Sequence, residues 1–228
     1  MGSVVSADDA REAQIEDGTK ALANARARGG QVQIDAETKL APVLALVAAT
    51  EEEASALAQK AIEARARRGV ANDAADAVVV EALDDMFEAG GRTRNDPIMA
   101  VAAPGGATPI TAAALESQPV RMKLVAKVLA RLAHPKIAPE LLQAASARIA
   151  QAADPLAKVV RETADAIIEA EMADQVLTAL ARLVRNELMG LKRMWIGRGM
   201  KDSEIHEIIP DRPDRPDRPE QPPKKKDD

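Results

Sequence analysis

The chain contains no cysteine and no tyrosine, and its 228 residues include one phenylalanine, one tryptophan and two histidines. Each shortage closes a route. Without cysteine there is no disulfide framework, no thiolate metal site and no thiol nucleophile. With so few aromatic rings there are no stacking platforms for a single-stranded nucleic acid, and the whole chain is acidic, so nucleic acid is not an expected partner. His134 and His206 lie far apart in sequence, and the Glu-x-x-His pair of helical di-metal sites is missing. The stretch APGGATP lacks the Gly-Lys-Ser/Thr ending of a phosphate loop, and no serine stands in a nucleophile elbow. No catalytic residue, metal ligand or cofactor is therefore expected. A metal-dependent helical-bundle enzyme is the least favoured of the functions weighed.

Long apolar runs are missing too. No stretch approaches the roughly 18 residues needed to span a bilayer, and MGSVVSADDA lacks the basic and apolar regions of a signal peptide. A soluble, cytoplasmic protein is the expectation.

What the chain does have is small aliphatic side chains. Apolar residues make up 46% of it, largely Ala with Leu, Val and Ile, and no long alternating stretch appears. Alanine costs least in a helix and lets helix axes approach, whereas sheets favour β-branched and aromatic residues. The expected fold is all-α, an elongated antiparallel bundle of five to seven helices with one long helix in the C-terminal half.

Punctuation divides the chain. Residues 1–30 read as an N-terminal arm, and its helix, from about residue 7 to Arg28 and ended by Gly29-Gly30, has only Ile15 and Leu22 as large apolar residues. So thin a stripe suits a mobile arm, or half of a coiled contact completed by a partner. Residues 31–91 read as a first helical subdomain. Thr50 with Glu53 forms a candidate capping box, Gly69 a stop, and Asn72 or Asp73 a new cap, although one long helix from Leu40 onward is an alternative. Residues 92–116, rich in Gly, Pro and Thr, read as a linker or a loop folded over the helices. Residues 117–209 form a second subdomain. Val120, Leu124, Val128 and Leu132 mark one helical stripe, and Asp154-Pro155 reads as the start of an unbroken rod reaching Met189. Leu156, Thr163, Ala170, Leu177, Val184 and Leu191 recur along it every seven residues. A faint echo, KLAP at 39–42 and KIAP at 136–139, hints at duplicated hairpins.

Residues 210–228 carry three Pro-Asp-Arg triplets and a lysine cluster. Proline at every third position matches a polyproline II turn, and with nothing apolar to bury the segment is expected to be a disordered, solubilising spacer.

Charge is uneven. The net charge is −5, with 18 acids and 11 bases in residues 1–100 but 12 acids and 14 bases in residues 101–210. Such polarity suits head-to-tail association. The candidate contact residues are Ile15 and Leu22 on the arm, together with a basic cluster of Arg185, Lys192, Arg193, Arg198 and Lys201 around Trp195. Trp195 either plugs the end of the bundle or, exposed among cations, docks into a protein partner or an anionic membrane surface. The expected function is a non-enzymatic structural or scaffolding role through self-association as a homo-oligomer or binding of another protein, with membrane-surface binding as the alternative.

Overall fold

A computed structural model describes residues 10–92 and 96–210. These residues form helices and no strand: α1 Arg11–Arg28, α2 Gly30–Lys39, α3 Ala41–Ala89, α4 Pro97–Ala102, α5 Thr108–Thr111, α6 Gln118–Leu129, α7 Pro139–Glu162, α8 Ala164–Gly197 and α9 Asp202–His206. Six of these nine are long and three are single turns, so the all-α expectation holds. The spacer expected at residues 210–228 lies, from residue 211 onward, outside the described residues. Among the described residues no helix is long and apolar enough to cross a membrane.

Two compact units emerge, each with its own core. The first comprises Met1–Ala56 with Glu171–Asp228, the second Leu57–Ala170. Helices α3 and α8 contribute residues to both.

In the first unit, Ala21, Leu22 and Ala25 of α1 meet Val184 and Leu188 of α8, Leu40, Val47 of α3, and the isoleucines at 205, 208 and 209. Helix α1 carries almost no large side chains, yet it is packed. Gly18, Ala21 and Ala25 form a face so slim that a methyl added to Gly18 would overlap Val184 Cγ1. Small residues let the backbones approach, which is how a helix without bulk finds a core. The pairings Arg11–Asp174 and Gly18–Val184 advance together, so α1 runs parallel to α8. Asp35–Trp195 and Lys39–Glu187 run in opposite senses, so α2 is antiparallel to it.

In the second unit, α6 and α7 form an antiparallel pair: Gln143 donates to the Ala130 carbonyl and Ser146 to that of Ala126. The later part of α3 lies against α7, with Arg148 bridging Glu81 and Asp85 while Arg67 reaches Glu162. Residues 96–116 wrap this group, burying Ala102, Ala103 and Ile110 in the same core.

Several local expectations are corrected. Helix α3 runs through Thr50, as the alternative of one long helix from Leu40 has it, and does not break at Gly69 either. The Thr50 hydroxyl donates backwards to the Leu46 carbonyl at 2.8 Å, the mid-helix habit of threonine, rather than capping a new start. Asn72 bonds Asp76 one turn on. One exposed glycine costs about 1 kcal/mol, too little to stop a helix held by buried Ala64, Ala75 and Val79 on either side. Pro155 does not start a helix; it lies inside α7, between buried Ala153 and Leu156.

The rod breaks instead at Thr163. Its hydroxyl donates to the Val159 carbonyl at 2.6 Å and accepts from Arg68 Nε at 2.7 Å, while a second Arg68 nitrogen donates to the Val160 carbonyl at 3.0 Å. The guanidinium thus satisfies a carbonyl that the interrupted helix leaves open. On α6 the core face is Met122, Val125, Ala126 and Leu129, and Val120 and Leu124 are exposed. A strict spacing of four drifts about 40° per step around a helix, so the expected stripe could not stay on one face.

Candidate functional site

The first unit gathers most of the residues singled out in the sequence. Ile15 is half-buried and Leu22 buried, both against the chain's own core. Neither projects freely from an arm. Trp195 is 1% exposed and closes the end of the core beside Leu191 and Ile205. Its place matches the plug reading and leaves no indole at the surface for a membrane or partner.

A buried indole needs an acceptor for its N–H, and here that acceptor is Asp35. Trp195 Nε1 donates to Asp35 Oδ2 at 3.1 Å, Gln31 donates to Oδ1 at 2.9 Å, and Arg198 pairs with Oδ2. Burial, the largest single influence, acts to raise the Asp35 pKa, since Asp35 is only 8% exposed. The hydrogen bonds from Gln31, Trp195 and Arg198, with the Arg198 charge, together outweigh it and hold the carboxyl below the usual range. A depression of about 350 Å³ opens beside this cluster, lined by Gln31, Val32, Arg198, Gly199 and Met200.

The rest of the basic cluster divides. Lys192 pairs with Asp202 at 3.4 Å, and Arg185 is half-buried. Arg193 and Lys201 are exposed, and the Lys201 backbone N–H donates to Glu204 Oε2 to start α9. Helix α9 folds back: Arg28 reaches Glu204 at 2.9 Å, and Asn24 donates to the Ile208 carbonyl at 3.0 Å. Lys192 and Arg198 are thus paired with Asp202 and Asp35, while Arg28 of α1 holds Glu204 of α9.

Sequence reasoning missed Asp35 and Gly18. A lone tryptophan in so aromatic-poor a chain calls for a buried acceptor, but nothing in the sequence says which. Gly18, Ala21 and Ala25, spaced at three and four, did offer a legible small-residue face.

The second unit holds the other buried polar pairs. His134 Nε2 lies 2.9 Å from Asp96 Oδ2, and His134 Nδ1 accepts the backbone N–H groups of Lys136 and Ile137 at 3.1 and 3.2 Å. Two donors on Nδ1 place the ring proton on Nε2, which donates to Asp96. That hydrogen bond is the main cause holding the Asp96 carboxyl below its usual range, helped by the N–H groups of Met99 and Ile98 that its side chain caps. Both ring nitrogens are engaged, so the pair organises the turn before α7 and the start of α4. A cleft of about 430 Å³ lies nearby, between Phe87, Met99 and Gly105-Gly106, with Asp84 and Asp96 at its edge. Among the described residues no three potential metal-ligating side chains converge.

One surface remains conspicuous in the first unit. Helix α8 buries Leu177, Leu180, Ala181, Val184, Leu188, Leu191 and Trp195 on one face. On another it exposes Met172 at 60%, Val176 at 48% and Leu183 at 39%, with exposed Ala179 between. The spacing 172, 176, 179, 183 alternates four and three, the pattern of a coiled-coil seam. At about 100° per residue this second seam lies about 130° around the helix from the core face.

Comparison of the chain with protein-family models, with curated proteins and with solved structures finds no match.

Proposed function

We propose that the chain is a non-enzymatic structural protein that acts by helix–helix association, joining to copies of itself or to another protein. The observation that carries this reading is the second apolar seam on α8. A helix that has already given its core a full apolar face needs no further large side chains, and leaving three of them in water at coiled-coil spacing has a cost unless another helix covers them. The uneven charge along the chain supports contact between unlike ends of two copies.

The test is sedimentation of the purified full chain over a concentration series. An oligomer that grows with concentration is expected. A monomer at every concentration, together with no binding partner in cross-linked cell extracts identified by mass spectrometry, contradicts the reading.

A further inference from the structure

We infer that the outward face of α6 binds an anionic lipid bilayer, an inference separate from the association reading above. Between Pro97 and Pro139 lie one acid, Glu116, and five bases, Arg121, Lys123, Lys127, Arg131 and Lys136, in a chain whose net charge is −5. Helix α6 turns Met122, Val125, Ala126 and Leu129 into the core. At about 100° per residue, Val120, Leu124 and Lys127 fall within about 60° of one another on the opposite side, and Arg131 follows in the turn after the helix. Val120 is 69% exposed and Leu124 62%. The face thus starts with two aliphatic side chains standing in water and continues into two cations.

Charge identifies the occupant. Glu116 is held by Arg68, and Lys123 meets Asp154 of α7 at 2.6 Å. Arg121 donates to a neutral acceptor, the Pro109 carbonyl, and keeps its charge. Arg121, Lys127, Arg131 and Lys136 form no ion pair among the described residues. The segments outside the described residues fall short of matching these four cations: residues 1–9 hold two acids, Asp8 and Asp9, residues 93–95 add a base, Arg94, and residues 211–228 hold six acids against six bases. The partner therefore brings a surplus of negative charge. The outer side of a single helix is convex and offers no groove to hold a peptide or a second helix. A plane of anionic headgroups fits it, with the cations among the phosphates and with Val120 and Leu124 reaching the acyl boundary.

The test is flotation of the full chain with vesicles of phosphatidylcholine alone and of phosphatidylcholine mixed with phosphatidylserine. The wild type is expected to float with the anionic vesicles and not with the neutral ones. Lys127→Glu combined with Arg131→Glu should weaken binding at least about 25-fold, because each cation close to such a surface strengthens it about fivefold. Val120→Ser combined with Leu124→Ser should weaken it as well, through the lost apolar contact. All four positions are exposed, and circular dichroism checks that each variant keeps its helices. Replacing Lys224, Lys225 and Lys226 together by glutamine should leave binding unchanged, which separates α6 from the lysine cluster of the tail. A wild type that ignores anionic vesicles overturns the inference, even where it binds an acidic protein or a nucleic acid instead. Binding undiminished by either α6 pair overturns it too, as does binding that is lost with the tail lysines alone.

Discussion

Trp195 donates its indole N–H to Asp35 across 160 residues of sequence, at 3.1 Å, and so ties α8 to α2 at the closed end of the first unit's core. Asp35→Ala leaves that N–H buried without an acceptor, at a cost of about 1–3 kcal/mol. Urea unfolding followed by tryptophan fluorescence reads this directly, because the lone tryptophan reports on the site. Because the folded state holds the Asp35 pKa below its unfolded value, the carboxylate's contribution is complete above the unfolded pKa of about 3.9. It is lost as the pH falls through the lower, folded value. The stability gap between wild type and Asp35→Asn should therefore be constant from pH 7 to about 5 and shrink below about pH 4. A gap that widens on acidification would contradict the assignment.

Arg68 and Thr163 mark the break between α7 and α8. Arg68→Ala removes the donor to the Val160 carbonyl and to the Thr163 hydroxyl together, and should destabilise the second unit by about 1–3 kcal/mol. Arg68→Lys should not restore it, since an ammonium cannot reproduce the fork that reaches both oxygens. Denaturant midpoints of the three proteins check this; full rescue by lysine would show that charge alone matters.

Glycine substitutions separate packing from propensity. Gly18→Ala forces a methyl into Val184, which is fully buried, and should cost about 1–3 kcal/mol. Adding Val184→Ala should recover part of that loss. Gly69 sits inside α3 with open space around its Cβ position, so Gly69→Ala should raise stability by up to about 1 kcal/mol. Thermal unfolding should move in opposite directions for the two single substitutions.

The His134 tautomer is directly observable. Nitrogen-15 NMR of histidine-labelled protein should show the neutral ring with its proton on Nε2, since Nδ1 accepts two backbone N–H groups. Asp96→Asn should perturb the His134 signals and leave those of His206, which pairs with Asp202, in place. A ring protonated at Nδ1 and free at Nε2 would contradict the arrangement.

Much of the helical architecture was legible because small aliphatic residues at helical spacing admit few other solutions. In the seven-residue series Leu156, Thr163, Ala170, Leu177, Val184 and Leu191, all are buried but Ala170, which is half-buried. Some boundaries were legible from local signals, among them Gly29 after α1, Gly90 after α3 and Pro139 at the start of α7; others were not. Thr50, Gly69 and Asp154-Pro155 look like helix boundaries, and the chain runs through all three, because buried neighbours outweigh a glycine or one missing N–H. The break that does occur, at Thr163, depends on Arg68, 95 residues earlier, which no local pattern announces. Of the candidate contact residues, Leu22 and Trp195 are buried. Their partners, Val184, Leu188 and Asp35, are distant in sequence, so the sequence left their burial open. The α8 seam went unnoticed behind the stronger stripe on the same helix.

The measurement that bears most directly on the central claim is sedimentation equilibrium of the wild-type chain beside Val176→Glu, whose carboxylate would enter the middle of the seam. The account requires the wild type to shift from monomer to dimer as concentration rises, and the variant, with its helices intact by circular dichroism, to remain a monomer at the same concentrations. Equal association of the two proteins, or a wild type that never leaves the monomer, would contradict it.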